Sequence, residues 1–237
     1  MRIYFITKKN LLTIGIVFIL LAAFLTFSFI YYGKSTVASR VTEPIYQGNT
    51  GKKVVAITVN VDWGEEFVPQ MLEIFDKKGV KVTFFVTGKW AKKNQELLKK
   101  MSDKGHSIQN HGYEHVHFNS LSIEESVEQI KKAEKIIYEI TGRKTKFFAS
   151  PYGEQSHKIL TAVSSIGYDL VMWSVDTIDW QRPDPGTIVK RVANKVHNDA
   201  IILMHPTEPT VKALPELLER LQKEGYKMVT IEEIVIR

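Results

Sequence analysis

The sequence Lys53-Val54-Val55-Ala56-Ile57-Thr58-Val59, followed by residues 65–78 and Gly79, indicates the fold of this chain. The first run is dominated by β-branched and small apolar residues, which is typical of a buried strand. The second segment carries its apolar side chains at the spacing of one helical face, at Val68, Met71, Leu72 and Phe75. Gly79 is a typical helix stop. Together the two segments predict one βα unit.

The same alternation continues to the end of the chain. Further strands are predicted at residues 80–86, 107–110, 146–148, 168–174, 200–204 and 228–230. Further helices are predicted at residues 90–104, 122–141, 157–165, 185–196 and 211–223. Ser122 and Glu125 form a capping-box pattern at the start of the longest helix. About seven such units in one domain favour the α/β class, with a parallel sheet or a barrel.

The N-terminal part of the chain is predicted to be a membrane anchor. Residues 11–30 carry no charge, and about twenty residues in a helix span the roughly 30 Å of a bilayer core. Basic residues precede this stretch, which predicts a cytoplasmic N-terminus at 1–10, an anchor at 11–32 and a domain outside the cell. We therefore expect a single-pass protein of the cell membrane. A cleaved signal peptide with a small-residue site at 36–38 is the alternative.

Residues 33–52 are polar and contain several glycines, so they are predicted to be a linker to one domain at 53–237. The chain has no cysteine, which excludes disulfides and thiolate zinc sites. The net charge of +6 favours anionic surroundings. Since Lys and Arg alternate with Glu along the predicted helices, a solvated basic surface is the simpler interpretation. Nothing resembles a nucleic-acid-binding module.

Polar side chains follow five of the predicted strands. They are Asn60 and Asp62, His111 and His115, Pro151 to Gly153, Asp176 and Asp179, and His205. The carboxyl ends of parallel strands meet at one edge of the sheet, where enzymes of this architecture carry their chemistry. We therefore expect these groups to converge on one site.

Two imidazoles four residues apart, His111 and His115, can bind one metal ion. A carboxylate from another segment would complete a His/His/Asp set and leave positions open for water and substrate. By itself such a pair is also compatible with ordinary surface or core histidines.

Four ordered motifs resemble the polysaccharide deacetylase family, the NodB-homology domain of carbohydrate esterase family 4. They are Asn110 to His115, Phe148 to Gly153, Trp173 to Trp180 and Leu203 to Pro206. The resemblance covers about residues 52–235 and implies a distorted (β/α) barrel. It also implies a hydrolase that removes N-acetyl groups from amino sugars with a divalent metal, most often zinc or cobalt. The anchored layout is most similar to deacetylase-like proteins of spore-forming Gram-positive bacteria. This resemblance implies a role in sporulation. It also implies that the partner is an N-acetylated cell-wall glycan such as peptidoglycan.

The resemblance also implies roles for individual residues. Asp62, His111 and His115 would bind the metal, and His205, oriented by Asp179 or Asp176, would protonate the leaving amine. Tyr152, Pro151, Trp180 and Leu203 would contact the substrate. Each assignment has a structural alternative. Tyr152 and Trp180 would then be packing residues, His205 a hydrogen-bonded structural histidine, and the two aspartates turn or cap residues.

Two positions depart from the family pattern. Asn60 stands where the family has its general base, and Ala149 replaces the arginine that would pair with that base. A neutral amide accepts no proton near neutral pH, and loss of a general base costs about 10²- to 10⁴-fold in rate. Glu65, Glu66 or a metal-bound hydroxide are candidate substitutes. The sequence thus leaves two hypotheses: an impaired metal-dependent deacetylase, or a catalytically inactive glycan-binding or scaffold domain.

Overall fold

The computed structural model describes residues 8–32 and 43–236, which fall into two separate units. The first unit contains helix α1, Lys8–Tyr32, of 25 residues. Among the described residues, no helix combines the length and apolarity needed to cross a membrane. The anchor expected at 11–32 is therefore helical but is not confirmed as a membrane span. Most of the expected cytoplasmic terminus and the linker residues 33–42 lie outside the described residues.

The second unit is built on one parallel sheet. Its strands are β1 Val54–Val61, β2 Thr83–Val86, β3 Ser107–Asn110, β4 Phe147–Phe148, β5 Asp169–Leu170, β6 Val175–Asp176, β7 Ala200–Met204 and β8 Lys227–Val229. Their order is β5-β4-β3-β2-β1-β7-β6, and β8 pairs with the first residues of β1. The long central strand β1 is buried along its whole length.

The helices of this unit follow the strands in alternation. They are α2 Val68–Lys78, α3 Gly88–Lys93, α4 Gln95–Asp103, α5 Ile123–Thr141, α6 His157–Ser165, α7 Pro185–Ala193, α8 Glu208–Lys223 and α9 Ile231–Ile234. The capping box expected at Ser122 and Glu125 is present at the start of α5. Gly142 ends this helix in the left-handed conformation, as the sequence indicates.

Several predicted elements begin or end about three residues from the observed bounds, and two are interrupted in the structure. The helix expected at 90–104 is divided into α3 and α4, because Asn94 leaves the helical conformation and its side chain bonds to the carbonyl of Trp90. The strand expected at 168–174 is reduced to β5, and the chain forms the separate strand β6 afterwards. Residues 171 to 174 form only isolated contacts with neighbouring segments, including the bridge between Ile45 and Val171.

The alternating faces of β1 separate two apolar layers. Four alternate residues of this strand pack outward against the surrounding helices: Val55, Ile57, Val59 and Val61. Val54 and Ala56 face the concave side, together with Phe85, Ala149 and Ile201. Asn60 follows Ala56 at an even spacing on the same strand, so its side chain belongs to the concave side. The site residues therefore stand above an apolar floor.

The sheet curls without closing, since the described residues show no pairing between the edge strands β5 and β6. The expected distorted barrel is thus an open half-barrel. Part of the expected linker also belongs to the domain: Ile45 bonds to the backbone of Leu170 and Met172, and Gly48 bonds to Asp199. The ordered domain consequently begins before residue 53.

Candidate active site at the carboxyl end of the sheet

The loop after β3 is fixed by its own side chains and by α3. The side-chain oxygen of Asn110 accepts from the Gly112 N–H at 2.8 Å, and its amide donates to the carbonyl of Ile130 at 2.8 Å. Gly112 has a φ of +82°, which favours glycine. The Gly112 carbonyl then accepts from the first residue of α3, Gly88, at 2.9 Å. This turn places His111 and His115 side by side.

His111 and His115 form the centre of the site. Their rings lie 5.2 Å apart, centroid to centroid. His111 Nδ1 donates to the carbonyl of Ala149 at 2.7 Å, which leaves its Nε2 as the free acceptor. Burial, reinforced by His115, lowers the pKa of His111 to about 3. Burial also lowers the pKa of His115, against the opposing effect of the nearby Asp62 carboxylate. Both imidazoles are therefore neutral, the form that binds metals.

The three expected metal ligands are neighbours but do not form a complete metal site. Within the described ranges, no group of three or more His, Cys, Asp or Glu side chains is arranged to hold an ion. Asp62 lies just beyond the end of β1, where its Oδ1 accepts from the Thr87 hydroxyl at 2.7 Å. The donor chemistry of two neutral imidazoles and a carboxylate suits a divalent metal, but within the described part of the chain these side chains are not arranged to hold one.

On the opposite side of the mouth, His205 is bound to a fully buried carboxylate. Asp179 Oδ1 accepts from His205 Nδ1 at 2.8 Å. Its Oδ2 accepts from the His205 backbone N–H at 2.7 Å and from the Thr210 hydroxyl at 2.6 Å. Three donors thus satisfy a carboxylate that would otherwise be costly to bury. The arrangement fixes the imidazole ring and leaves Nε2 as the atom available to a ligand.

A strained turn directs Asp179 towards His205. The preceding residue, Ile178, has a φ of +52°, an unfavourable conformation for a β-branched side chain. Asp176 Oδ1 accepts from the Ile178 N–H at 2.8 Å and so supports the turn. Of the two expected partners of His205, the structure therefore brings Asp179 into contact, while Asp176 holds the turn before it.

Between these two halves stands Asn60, in the base position. The residue as a whole is 7% exposed, and its Oδ1 is buried without a hydrogen-bond partner among the described residues. Of the expected substitutes, Glu65 is bound to Lys93 at 3.0 Å. Its own backbone N–H and Lys93 lower the pKa of Glu65, which makes it a weaker base. Glu66 is exposed.

Two of the expected substrate contacts, Pro151 and Leu203, are buried, and so is Ala149, which replaces the family's arginine. Ala149 is 4% exposed and belongs to the concave apolar cluster. Leu203 is also 4% exposed, and its carbonyl accepts from the Thr177 hydroxyl. Pro151 is buried at the start of a 3₁₀ turn. The side chain of Leu203 is therefore a floor residue, with little surface for a sugar.

Exposed aromatic rings surround the mouth. Tyr152 is 58% exposed and stacks on His117, with centroids 3.9 Å apart and planes at 12°. Trp180 is 55% exposed. Trp63 lies nearly parallel to the His205 ring, at 7° and 6.1 Å. Flat exposed rings of this kind suit the faces of sugar rings.

Sequence reasoning missed Trp63, Thr87 and Thr210 as site residues. Trp63 directly follows Asp62, a predicted metal ligand, and this position was a usable signal. No sequence signal marked Thr87 or Thr210, because their hydrogen-bond partners are distant in sequence. Thr87 donates to Asp62, and Thr210 donates to Asp179.

A parallel half-barrel with imidazoles and carboxylates at the carboxyl ends of its strands has the layout in which (β/α) proteins carry a catalytic or binding site. The family model for polysaccharide deacetylase matches residues 47–171. This chain belongs to the polysaccharide deacetylase family.

Particular relatives are similar over most of the domain. The uncharacterized protein YlxY of Bacillus subtilis (strain 168) is 42% identical over 193 residues, covering 81% of this chain and 60% of the relative. The chain thus spans less than two thirds of that protein. Peptidoglycan-N-acetylglucosamine deacetylase of Bacillus cereus is 32% identical, with 78% of this chain and 70% of the relative covered.

Solved structures give a complementary comparison. The crystal structure of BA3943, a CE4 family pseudoenzyme from Bacillus anthracis, is similar with 40% identity and a TM-score of 0.79. The match covers 81% of this chain and 68% of that chain. A mutant of that pseudoenzyme has restored enzymatic activity and is similar at the same TM-score of 0.79.

Proposed function

We propose that this domain binds an N-acetylated cell-wall glycan, peptidoglycan in the first place, and that it has little or no deacetylase turnover. The observation that carries the proposal is the buried amide of Asn60 at the base position, beside an intact His205–Asp179 pair. The extracytoplasmic location predicted from residues 11–32 is part of the proposal, because peptidoglycan lies outside the membrane.

Amide hydrolysis needs two proton transfers. A base takes a proton from the attacking water, and an acid gives one to the leaving amine. In this proposal His205 makes the second transfer from Nε2, and its hydrogen bond to Asp179 supports that role. Asn60 cannot perform the first, and Glu65 is engaged by Lys93. The site therefore retains the acid half of the chemistry and the sugar-facing rings while it lacks the base.

The relatives support both parts of the proposal. The Bacillus cereus relative is by name a deacetylase of peptidoglycan N-acetylglucosamine, which favours a glycan of this kind as ligand. The Bacillus anthracis relative, with 40% identity, is a pseudoenzyme, which favours loss of turnover. The restored activity of its mutant supports the idea that the remaining machinery of such a site stays usable.

A slow, metal-dependent deacetylase is the second candidate. Two observations favour this candidate. The rings of His111 and His115 are close to each other, and Asp62 is near enough to raise the pKa of His115 against the effect of burial. Zinc or cobalt would be the metal that the family resemblance implies.

Acetate release from N-acetylated peptidoglycan and chitooligosaccharides tests the proposal, with zinc or cobalt supplied and with chelator in a parallel series. We expect no release by the unmodified chain above that of His205→Ala. Asn60→Asp should raise the rate at least about tenfold, since a general base contributes about 10²- to 10⁴-fold. Ala149→Arg should be combined with it, because an unpaired buried carboxylate is costly.

Asn198→Asp is the matched control, since Asn198 is exposed just before β7 begins, at the opposite end of the sheet. Metal-dependent release by the unmodified chain would favour the second candidate. An unchanged rate in Asn60→Asp, alone and with Ala149→Arg, would contradict the role of position 60.

A further inference from the structure

Much of the basic charge of the domain lies in one segment. Residues 88–104 contain six lysines but only two acidic residues. The chain as a whole has 32 Lys and Arg against 26 Asp and Glu, so this segment is far more basic than the average. It forms helices α3 and α4. A segment of this kind attracts anionic groups from solution.

A groove of about 660 Å³ lies between this segment and α5. Its volume is in the usual range of ligand sites. Ile136 and Ile140 give the groove an aliphatic floor, since both are half-buried and pack on the main core. Two exposed lysines from each side line it: Lys92, Lys99, Lys132 and Lys135. The groove thus combines apolar surface with cationic groups.

The salt bridges of these lysines are weak. Lys99 Nζ lies 3.0 Å from an Asp103 carboxylate oxygen, one turn away in the same helix. Lys135 Nζ lies 3.9 Å from Glu139 in the same arrangement. Exposed pairs of this kind contribute little to stability, so a ligand carboxylate can replace them. Two glutamates of the lining, Glu96 and Glu139, stand among the lysines.

The groove adjoins the loop after β3 that carries the two site imidazoles. A Cβ on Gly88, the first residue of α3, would stand 2.8 Å from the Tyr113 ring and 2.9 Å from the Cα of Ala133. The missing side chain lets α3 pack closely against α5 and against this loop. Lys132 then lies over Tyr113, with its Nζ 3.7 Å from the ring centroid. A ligand bound at the mouth can therefore extend into the groove.

The lining favours a peptide with carboxylates over a polymer that is charged on every unit. Aliphatic side chains of a peptide bury apolar surface against Ile136 and Ile140. Glu96 and Glu139 repel a polymer with an unbroken row of negative charges. Peptidoglycan, the ligand proposed for the mouth, carries acidic peptides on its glycan strands.

We infer that the groove between α3–α4 and α5 binds the acidic peptides of peptidoglycan. Lys92 and Lys132 pair with peptide carboxylates, and Ile136 and Ile140 contact its aliphatic side chains. The inference rests on the proposed function, from which it takes the polymer, and deepens it by assigning a second part of that polymer to a second site. The domain then prefers strands that still carry their peptides.

Calorimetric titration of the full-length chain tests the inference with two soluble tetrasaccharides of alternating N-acetylglucosamine and N-acetylmuramic acid. One carries its peptides, and an amidase has removed them from the other. We expect the peptide-bearing form to bind about five- to tenfold tighter at low ionic strength, the effect of a few exposed charge pairs. This advantage should shrink at high ionic strength, because salt screens exposed charges.

Lys92→Gln combined with Lys132→Gln should remove most of the advantage, with the affinity for the bare strand as the internal reference. Lys77→Gln combined with Lys195→Gln is the matched control, since it lowers the net charge equally by removing two exposed lysines outside the groove. Lys92→Arg combined with Lys132→Arg keeps both charges and should keep the advantage. Thermal unfolding of each variant checks that it is folded.

The outcomes separate the inference from the proposed function. Equal affinity for the two tetrasaccharides, or an advantage that persists without Lys92 and Lys132, would overturn the inference alone. Loss of the advantage in the control variant as well would assign it to overall charge and would also overturn the inference. Tighter binding of a glycerol phosphate oligomer than of the peptide-bearing strand would exclude a peptide as the occupant. Lysine-dependent binding of the peptide-bearing strand without any binding of the bare strand would support the groove and overturn the proposed function of the mouth.

Discussion

At the scale of single residues, the geometry of the His205–Asp179 pair is determined by the hydrogen bonds that the Asp179 carboxylate accepts. The carboxylate is fully buried and accepts from the ring and backbone of His205 and from Thr210. A buried carboxylate needs each of these donors, since a missing one leaves an unpaired lone pair in a medium of low polarity. Thr210 is therefore as much a part of the site as the two motif residues.

Thr210→Val tests this dependence. The variant keeps the shape of the side chain and removes the hydroxyl that donates to Asp179 at 2.6 Å. We expect the free energy of unfolding to fall by about 1–3 kcal/mol, the cost of an unsatisfied buried group. Urea denaturation measures it. Thr161→Val is the control, because that exposed hydroxyl bonds only within its own helix and should change stability by less than about 0.5 kcal/mol.

At the scale of elements, two loops meet at the mouth with no room for a side chain between them. Gly64 lies between β1 and α2, and Pro206 lies between β7 and α8. A Cβ on Gly64 would stand 2.2 Å from the Pro206 carbonyl oxygen, and the φ of Gly64 is +79°. The close approach brings Trp63 against His205.

Gly64→Ala should consequently separate the two loops. We expect a loss of about 3 kcal/mol or more in the free energy of unfolding, since a backbone clash adds to the conformational cost. Gly142→Ala is the matched control: its φ is +68°, but a Cβ there meets nothing within 4 Å. It should cost only about 1–2 kcal/mol. Similar losses in the two variants would contradict the close packing at Gly64.

Local signals predicted some element boundaries well and others poorly. Helix α6 and strand β7 have the expected bounds, and α5 begins at its capping box. The division at Asn94 and the strand β6 were missed. The division at Asn94 is local, since the Asn94 side chain bonds to the carbonyl of Trp90. Strand β6 depends on a contact that forms only in the folded domain, because it pairs with β7, whose residues come about 27 positions later in the chain.

At the scale of the whole molecule, pH is expected to act on the buried histidines. His106 is fully buried, packs edge-on against Phe75 and Phe84, and accepts from the Val82 N–H at 3.2 Å. Burial is the main cause that lowers its pKa to about 4 from 6.5, with Lys81 and Lys104 acting in the same direction and Asp76 against it. The folded domain therefore holds His106 neutral.

Stability should fall on acidification for this reason. Between pH 6.5 and about pH 4, the unfolded chain binds a proton at His106 that the folded domain does not. The part of the free energy of unfolding that depends on a neutral His106 is complete above pH 6.5 and is lost towards pH 4. It amounts to about 3 kcal/mol.

His106→Gln keeps an acceptor for Val82 and cannot be protonated in this range, so its stability should depend less on pH than that of the unmodified chain. Urea denaturation at pH 7 and pH 4.5 measures the difference. The exposed His157 provides the control, since His157→Gln should keep the original pH dependence. An unchanged dependence in His106→Gln would show that His106 is not held neutral.

The sequence by itself determined the α/β class, the parallel order implied by repeated βα units, and the family. It also predicted a site that contains Asn60, His111, His115, Asp179 and His205, all of which lie at or just after the carboxyl ends of strands. These features are local: periodicity, caps and short motifs are properties of neighbouring residues along the chain.

Only the tertiary structure decided that the half-barrel stays open, that Asp179 rather than Asp176 contacts His205, and that Asp62 is bound to Thr87. It alone showed that the Asn60 acceptor is buried and unpaired within the described residues. The physical reason is that each of these facts depends on groups brought together by packing from distant parts of the chain. Whether a polar atom is satisfied is a property of its surroundings in space, which the order of residues does not state.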